Sequence, residues 1–445
     1  MTITNTSEGS MPELKRILVI GSGGRENALA WALRKSFGIE KVYVAPGNAG
    51  TKSLSHCEQL NIQSNDLKAL KEVCKTNKVD LVVIGPEEPL AAGLADDLRQ
   101  EGLAVFGPGK DGAKIEASKS WAKLMMEEDN IPTAKHWSVN SKEEAIEILQ
   151  KANKPLVVKA DGLAAGKGVT VPETIDETRE AINDVFTGKF GSSGAKLVLE
   201  EKIYGPEISI FALCDGKDMV LLPPAQDHKR LEEGDLGPNT GGMGAYCPAP
   251  LVNQKDLKAI QKSILEPTLK GLVRRGINYR GVIYAGLMLT ESGPQVIEFN
   301  CRFGDPECQA IMPLLGKELA LVIQACALGQ LDKAPKLSIS NHSSACVVAA
   351  AAGYPERPRK NDLIDIDTEE SESLQIFHAG TKYNDNNEIV TSGGRVLSVV
   401  AQDSNFDLAF AKAYKALENI SFDGINYRKD IGHQVRIKTL NKETN

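Results

Sequence analysis

Short apolar runs alternate with helix-like segments over roughly the first quarter of the chain. Apolar runs at residues 15–20, 42–44, 80–84 and 105–106 predict strands. Helices are predicted between these strands: one ends at residue 33, and two others cover residues 66–75 and 92–101. Because strands that alternate with helices pair in parallel, we predict an N-terminal α/β domain with a parallel sheet over residues 15–118.

The middle of the chain has a different pattern, in which strands follow one another closely. A helix is predicted over residues 118–129, and strands over 156–159, 196–201, 207–213, 279–289 and 295–300. Loops rich in glycine and charged residues follow several of these strands. We therefore predict an α+β domain with antiparallel pairing over residues 119–327.

The two ends of the chain lack long periodic segments. Residues 329–344 are rich in Lys, Pro, Ser and Asn, so we place a linker at 328–340. Short β runs at 346–350, 375–377 and 394–401, with a helix at 406–420, predict a small C-terminal domain of mixed β-structure over 341–440. Residues 1–14 are polar and have no apolar signal core, which predicts a disordered extension.

Composition narrows the possible classes of function. A chain of 445 residues suggests roughly three domains. Its net charge of −7 argues against binding to nucleic acids or anionic membranes, and no apolar run approaches the length of about 18 residues that spans a bilayer. The 8 cysteines form no C-x-x-C pair and the 6 histidines show no zinc spacing. We predict a cytoplasmic protein.

The segment 296–307 carries the strongest chemical signal. Glu298 and Asn300 are two residues apart on a predicted strand, so both side chains face the same way. A carboxylate beside an amide oxygen suits a hard cation such as Mg²⁺ that carries nucleotide phosphates. Arg302 has the same parity and can bind a phosphate or a carboxylate. The alternative is an ordinary strand end with solvated polar residues.

A glycine turn follows the first strand. Gly21 and Gly23 resemble the start of a dinucleotide fingerprint, but Glu26 stands where its third glycine is expected. The second strand also ends in Ala45-Pro46 rather than in an acidic residue. An NAD site is therefore disfavoured. We predict that Gly23 binds an anionic substrate at a helix N-terminus, with a simple tight turn as the alternative.

A second glycine-rich segment contains Lys159 and residues 162–168. It is not a Walker A motif, because Asp161 occupies the first glycine position and Gly168 the Ser/Thr position. A loop that contains Gly162, Gly166 and Lys167 can nevertheless fold over phosphates, with Lys159 reaching them from its strand. The alternative is a structural turn.

Three further segments contain candidate binding residues. Glu87 follows the third strand, at the sheet edge where α/β proteins bind ligands. Residues 197–207 form a strand, a bend and a new strand, which could hold adenine and ribose. Two groups of residues suggest a cradle for an anionic substrate. They are the side chains of Asp227, Lys229 and Arg230, and the backbone amides of Gly241, Gly242 and Gly244. His228 is a possible general base. Solvated turns and loops are the alternatives.

The order of these motifs, including KADGLAAGKGV, QDHKR, NTGGMGAY and EFNCRFGDPE, resembles that of the phosphoribosylamine–glycine ligase family of the ATP-grasp superfamily, from about residue 14 to residue 437. The resemblance implies an N-terminal pre-ATP-grasp domain, a central two-lobed ATP-grasp domain and a small C-terminal domain, with ATP between the lobes. Two departures are Asn27, where the family usually has His, and the absence of an acid at residues 284–287.

The resemblance also implies roles for individual residues. Lys119 and Lys159 match positions that contact nucleotide phosphates, and Gly162, Gly166, Lys167 and Gly168 match the loop that covers them. Glu200, Glu201, Ile203 and Glu207 match the adenine and ribose site, and Glu298 and Asn300 match the ligands of Mg²⁺ or Mn²⁺.

The expected reaction is the ATP-dependent ligation of glycine to 5-phosphoribosylamine through glycyl phosphate, in the second step of purine synthesis. Lys159, Lys167 and Arg302 would act in catalysis. We expect a monomer or weak homodimer. An NAD-dependent oxidoreductase, a nucleotide sensor without catalysis, and another ATP-grasp ligase or carboxylase of purine synthesis are the alternatives.

Overall fold

A parallel sheet forms the N-terminal part of the computed structural model, which describes residues 11–163, 168–188 and 196–436. Its strands have the order β3-β2-β1-β4-β5. They are β1 (Arg16–Gly21), β2 (Lys41–Pro46), β3 (Cys57–Gln59), β4 (Leu81–Ile84) and β5 (Ala104–Phe106). The helices are α1 (Gly24–Leu33), α2 (Leu67–Thr76), α3 (Glu87–Ala92), α4 (Leu94–Gln100) and α5 (Lys110–Ala117). The apolar strands β1 and β4 are buried on both faces, as is typical of parallel sheets. The predicted parallel sheet is confirmed.

The first lobe of the central region is an antiparallel sheet with two outer helices. Its strand order is β6-β9-β7-β8. These strands are β6 (His136–Val139), β7 (Leu156–Ala160), β8 (Val169–Thr170) and β9 (Leu197–Glu201). Helix α6 (Lys119–Glu128) leads into the lobe, and α7 (Lys142–Ala152) and α8 (Ile175–Phe186) pack on each other.

The second lobe is another antiparallel sheet, with the order β11-β10-β16-β17. The strands are β10 (Glu207–Cys214), β11 (Met219–Leu221), β16 (Gly281–Thr290) and β17 (Gly293–Asn300). The pairing of β16 with β17 shifts by one residue, because Gly286 pairs with Glu298 whereas Leu287 pairs with Val296. Ile297 is therefore the extra residue of a β-bulge.

Two strands of the central region belong to a sheet that also contains the C-terminal strands. These strands are β12 (Gln226–Asp227) and β15 (Gly244–Cys247), and between them lies the hairpin of β13 (Arg230–Glu232) and β14 (Leu236–Asn239). The sheet order is β12-β15-β18-β23-β20, with β18 (Ser343–Ala350), β20 (Leu374–His378) and β23 (Arg395–Asp403). Two further strand pairs complete this part. They are β19 (Asp365–Ile366) with β24 (Ile420–Ser421), and β21 (Thr381–Tyr383) with β22 (Ile389–Thr391). The predicted fold class is confirmed, but the central and C-terminal regions share a sheet.

The remaining helices connect these sheets. They are α9 (Gln254–Ile260), α10 (Glu266–Arg274), α11 (Glu307–Ile311), α12 (Leu319–Leu328) and α13 (Phe406–Leu417). Within the described part of the chain, we find no helix with the length and apolar character needed to cross a bilayer. The boundaries of the domains stay predictions.

Part of the predicted N-terminal extension is ordered. Leu14 is buried, and Pro12 O accepts a hydrogen bond from Gln324 Nε2 at 3.0 Å. The prediction of disorder is therefore wrong for residues 11–14, while residues 1–10 lie outside the described residues. The predicted linker contains a short 3-10 helix, Leu331–Lys333, and residues 437–440 of the predicted C-terminal domain also lie outside the described residues.

Candidate active site

A cleft of about 830 Å³ lies between the two central lobes and reaches the carboxyl edge of the N-terminal sheet. The tertiary structure brings most of the predicted site residues into this one cleft. They are Glu87, Lys119, Lys159, Gly162, Gly168, Glu200, Glu201, Ile203, Glu207, Asp227, Lys229, Arg230, Gly241, Glu298, Asn300 and Arg302. Gly23, Gly242 and Gly244 are not among its lining residues, and Gly166 and Lys167 lie outside the described residues.

The glycine turn after β1 is occupied by a side chain of its own helix. Gly23 N donates to Glu26 Oε2 at 2.7 Å, and Glu26 Oε1 accepts from Arg25 Nε at 2.5 Å. A Cβ built on Gly85 would lie 2.0 Å from Glu26 Oε1. The Glu26 carboxylate thus fills the place that a dinucleotide phosphate takes in a Rossmann fold. It also satisfies the Gly23 amide that we predicted to bind substrate.

The backbone amides of the predicted anion cradle have partners within the protein. Gly241 N donates to the Tyr354 hydroxyl at 2.9 Å, and Gly242 N donates to Thr240 Oγ1 at 3.0 Å. A Cβ on Gly244 would lie 2.6 Å from Cys346 O, because this residue is buried within its sheet. A Cβ would also approach Pro306 closely at Gly242, so close packing requires glycine at 242 and 244, and of the three glycines only Gly241 lines the cleft.

Arg302 is engaged by two carboxylates. Its Nε donates to Glu87 Oε2 at 3.1 Å and its Nη2 donates to Glu116 Oε1 at 2.6 Å. Although burial opposes ionisation of Glu87, Arg302 and Arg25 lower the pKa of this carboxyl to about 2. A substrate carboxylate at Arg302 would have to compete with these partners. Glu116 was missed by the sequence analysis.

The start of the glycine loop is attached to helix α6. Lys119 Nζ donates to Gly162 O at 2.9 Å, and Ser120 N donates to Asp161 Oδ1 at 3.2 Å. Ser118 caps the same helix through a hydrogen bond from Trp121 N at 3.2 Å. Asp161, which excluded a Walker A motif, thus anchors the loop to the N-terminus of α6.

Glu200 lies between two buried lysines. Its Oε1 is 2.7 Å from Lys159 Nζ, and its Oε2 is 2.9 Å from Lys123 Nζ. Although burial alone would raise the pKa of Glu200, the two ammonium groups lower it. The Glu200 carboxylate, predicted to contact adenine or ribose, is therefore committed to lysines. Lys123 was missed, although its position four residues after Lys119 on a predicted helix was a usable signal.

The predicted adenine and ribose residues differ in their surroundings. Glu201 is partly exposed, with Lys154 Nζ 3.1 Å from its Oε2. Ile203 lines the cleft beside it. Glu207 accepts a hydrogen bond from Lys229 Nζ at 2.6 Å. Ile203 thus supplies an apolar surface to the cleft, while both carboxylates are paired with lysines.

Glu298 and Asn300 project from the edge strand β17 into the cleft. Among the described residues, no ion pair or hydrogen bond engages either side chain, although both line the site. Burial opposes ionisation of Glu298, but Lys229, Lys159 and Lys119 lower the pKa of this carboxyl. An ionised carboxylate and an amide oxygen without protein partners fit a hard divalent cation. The described residues contain no cluster of three or more His, Cys, Asp or Glu that could hold a metal alone.

Acidic groups also surround Lys229 in the same cleft. Burial raises the pKa of Asp227 to about 7, an effect that Lys229 opposes and Glu307 reinforces. Glu307, which had no predicted role, is buried and accepts a hydrogen bond from the Tyr284 hydroxyl at 2.6 Å. This arrangement offers hydrogen-bond acceptors to an amine and one cation to an acid.

A C-terminal segment holds the hairpin that carries Arg230. The buried Arg428 side chain donates to both oxygens of Asp430 at 2.8 Å and to Asp235 Oδ1 at 2.9 Å. It also donates to Arg230 O at 3.1 Å. Arg230 itself donates to Gly237 O at 2.6 Å. The segment at residues 428–432 therefore shapes one wall of the cleft.

His228 is buried against the same C-terminal segment. Its Nε2 accepts a hydrogen bond from Gly432 N at 3.1 Å and lies 3.0 Å from Gln434 Oε1. Burial lowers the pKa of His228 to about 4. The imidazole is therefore neutral near pH 7, where it fixes the chain rather than exchanging protons with solvent.

We expect acid to destabilise the protein through His228. The pKa is about 6.5 in an unfolded chain, so the unfolded state takes up the proton first as the pH falls from about 6.5 to 4. The free energy of unfolding should therefore lose about 2 kcal/mol from this residue between about pH 7.5 and pH 5. Urea unfolding at both pH values should show a smaller difference for His228→Gln. The exposed His342→Gln is the control, and an unchanged difference in His228→Gln would contradict the assignment.

Protein-family models and a similar known protein match this chain along most of its length. Three models of phosphoribosylglycinamide synthetase match it: the N domain at residues 15–116, the ATP-grasp (A) domain at 117–308 and the C domain at 344–434. The phosphoribosylamine–glycine ligase of Nostoc sp. is 48% identical over 94% of this chain and 99% of that protein.

Solved structures show the same similarity. The phosphoribosylamine–glycine ligase of Thermotoga maritima has 36% identity and a TM-score of 0.81, covering 93% of this chain and 99% of that one. A biotin carboxylase domain of Hydrogenobacter thermophilus, in complex with MgADP, has 16% identity and a TM-score of 0.68, covering 94% and 92%. This more distant similarity concerns the fold alone.

Proposed function

The chain belongs to the phosphoribosylamine–glycine ligase family, and we propose that it activates glycine as glycyl phosphate in the cleft between its two central lobes. It is an ATP-grasp ligase that acts on small-molecule substrates. ATP-grasp enzymes generally use ATP with Mg²⁺. The steps of the reaction and the residues that perform them form the proposal.

The chemistry explains why the ligation needs ATP. An oxygen of the glycine carboxylate attacks the γ-phosphorus of ATP, the bond from that phosphorus to the bridging oxygen breaks, and ADP leaves. The amine of 5-phosphoribosylamine then attacks the acyl carbon, releases phosphate and loses a proton. The products are glycinamide ribonucleotide, ADP and phosphate. No enzyme nucleophile is needed, so catalysis depends on positioning and charge stabilisation.

The observation that carries the proposal is the ionised Glu298, which has no protein partner among the described residues yet faces several cations. Glu298 and Asn300 would hold Mg²⁺ or Mn²⁺, with phosphates and water completing the coordination. A bound divalent ion would neutralise charge on the phosphates. Lys119 and Lys159 would bind the same phosphates from the first lobe, because both ammonium groups face this part of the cleft. The part of the proposal that concerns Gly166 and Lys167 rests on sequence alone.

The part of the cleft around Lys229 suits the two substrates that react with each other. Glu207 and Asp227 lie beside Lys229, and Glu307 lies beside Asp227. These carboxyl groups would offer acceptors to an amino group, while Lys229 would offer a cation to an acid. Arg230, Gly241, Glu87 and Arg302 would complete the substrate site. Arg302 would orient an acyl phosphate while Glu87 and Glu116 keep its guanidinium in place.

The fate of a glycine oxygen tests the route. With glycine labelled by ¹⁸O in its carboxylate, we expect each phosphate released to carry one labelled oxygen, because the acyl C–O bond breaks in the second step. Phosphorus NMR would detect the label through its isotope shift. Reactions without glycine or without freshly generated 5-phosphoribosylamine are the controls. Unlabelled phosphate from a complete reaction would contradict the glycyl phosphate route.

A further inference from the structure

The bulge in β17 provides an acceptor for Lys159 beside the candidate metal ligand. Ile297 has no partner in β16, since Gly286 and Leu287 pair with the residues on either side of it. Ile297 O accepts a hydrogen bond from Lys159 Nζ at 2.8 Å. A lysine of the first lobe is therefore attached to the second lobe directly next to Glu298. β-bulges are common beside active sites because they redirect the local chain.

A second buried lysine reaches the preceding residue of the same strand. Lys123 Nζ donates to Thr133 Oγ1 at 2.6 Å, and this hydroxyl donates to Val296 O at 2.7 Å. Lys123 and Lys159 also share the carboxylate of Glu200, one oxygen each. Lys123, Glu200 and Lys159, hereafter the lysine–glutamate network, thus join the two lobes at consecutive residues of β17. The three side chains are at most 5% exposed.

Sharing the carboxylate has a consequence for the charge at the cleft. With one carboxylate between two ammonium groups, the network keeps a net charge of +1. An ammonium group has three N–H donors, and Lys159 donates one of them to Ile297 O while it is ion-paired with Glu200, which leaves donor capacity for a ligand in the cleft. If Lys123 were neutral, Glu200 would be free to neutralise Lys159 alone. A buried carboxylate with a single partner would then draw that partner towards itself, because its charge is poorly solvated.

We propose that Lys123 is a positioning residue for phosphoryl transfer, which acts by holding one oxygen of Glu200 so that Lys159 keeps its orientation and its charge toward the nucleotide phosphates. This inference rests on the proposed role of Lys159 as a phosphate ligand. Lys123 lies at the wall of the cleft, but its side chain is only 2% exposed and its ammonium group is engaged by Glu200 and Thr133. Its effect on catalysis would therefore pass through Glu200 and Lys159.

The test compares Lys123→Met in two backgrounds, wild type and Lys159→Met, by ADP release at saturating glycine and 5-phosphoribosylamine. In the wild-type background we expect kcat to fall by about 10–100-fold, the range typical of residues that orient a functional group. The KM for ATP should change less than kcat, because the geometry matters most in the transition state. The Lys159→Met background also carries Glu200→Gln, so that the double replacement of lysines leaves no buried carboxylate without a partner. In this background the same change should cost less than about threefold, since coupled residues are not additive.

Two further variants separate positioning from a general structural effect. Lys123→Arg keeps the charge and should recover part of kcat. Lys114→Met replaces an exposed lysine of the neighbouring helix α5 and should leave kcat unchanged. A thermal melt of each variant establishes that it is folded. If Lys123 had only a structural role, Lys123→Met would lower the melting temperature, and its loss of kcat would be the same in both backgrounds.

The possible outcomes are distinct. Wild-type kcat in Lys123→Met, or an equal loss in both backgrounds, would overturn the inference. If Lys123→Met does not fold, Thr133→Val removes only the hydroxyl that holds Lys123, and its expected few-fold loss of kcat must likewise disappear in Lys159→Met. Wild-type kinetics of Lys159→Met alone would instead refute the proposed phosphate role of Lys159. If Lys159→Met lowers kcat strongly but Lys123→Met causes the same loss of kcat in both backgrounds, only the role of Lys123 is refuted.

Discussion

Replacing Glu298 with glutamine should lower kcat by about a thousandfold or more, which corresponds to about 4 kcal/mol of lost transition-state stabilisation. The amide has the same shape as the carboxylate but lacks the charge that a divalent cation requires. The variant should remain folded, because no ion pair or hydrogen bond of Glu298 is found within the described part of the chain. Steady-state ADP release as a function of Mg²⁺ concentration, combined with thermal melting, measures both expectations.

A matched control lies in the same β-hairpin. Glu291 is exposed in the turn between β16 and β17. Glu291→Gln therefore makes the same carboxylate-to-amide change as Glu298→Gln, but outside the cleft. We expect this variant to keep the kcat and the Mg²⁺ dependence of the wild type. If Glu298→Gln retained more than about a tenth of wild-type kcat at the wild-type Mg²⁺ optimum, Glu298 would not be the metal ligand.

Replacing Lys159 with methionine should lower kcat by about 100–1,000-fold, the usual loss when one donor to a developing negative charge is removed. Methionine fills most of the same volume without a charge. The fold should tolerate the change, because Glu200 keeps its ion pair with Lys123. The KM for ATP should rise less than kcat falls, since the charge on the transferring group is redistributed in the transition state.

Lys151 provides the comparison for this variant. It is an exposed lysine at the end of α7 that pairs with Glu147 on the same helix, so Lys151→Met should be kinetically silent. ADP release under saturating substrates, with the melting temperature of each variant, decides the result. A Lys159→Met enzyme with wild-type kcat and KM would remove Lys159 from the proposed machinery.

Local sequence pattern was sufficient for much of the fold. The apolar runs predicted in the N-terminal sheet formed strands within one or two residues of their predicted bounds, and the central strands β1 and β4 are buried on both faces. The pattern also contained signals that were overlooked. Ser141 accepts a hydrogen bond from Glu144 N at 3.2 Å and caps α7, and this Ser-x-x-Glu spacing is visible in the sequence.

Local sequence pattern does not predict which strands pair when they are far apart in the chain. Strand β15 pairs with β18, about a hundred residues further along the chain, so a strand of the predicted central domain belongs to the C-terminal sheet. The spacing of apolar residues indicates that a segment is a strand, but it does not identify its neighbour. The shared sheet places residues 226–244, which we propose to bind substrate, against the C-terminal segment that contains Arg428.

The sequence by itself determined the family, the fold class and the residue types available for metal and phosphate binding, because motifs and periodicity are properties of short segments. Only the tertiary structure decided which charges remain available. It paired Arg302 with Glu116 and Glu200 with Lys123, filled the glycine turn with Glu26, and left Glu298 without a partner among the described residues. Ionic partners depend on distance and burial between segments far apart in the chain, and spacing along the sequence does not encode either.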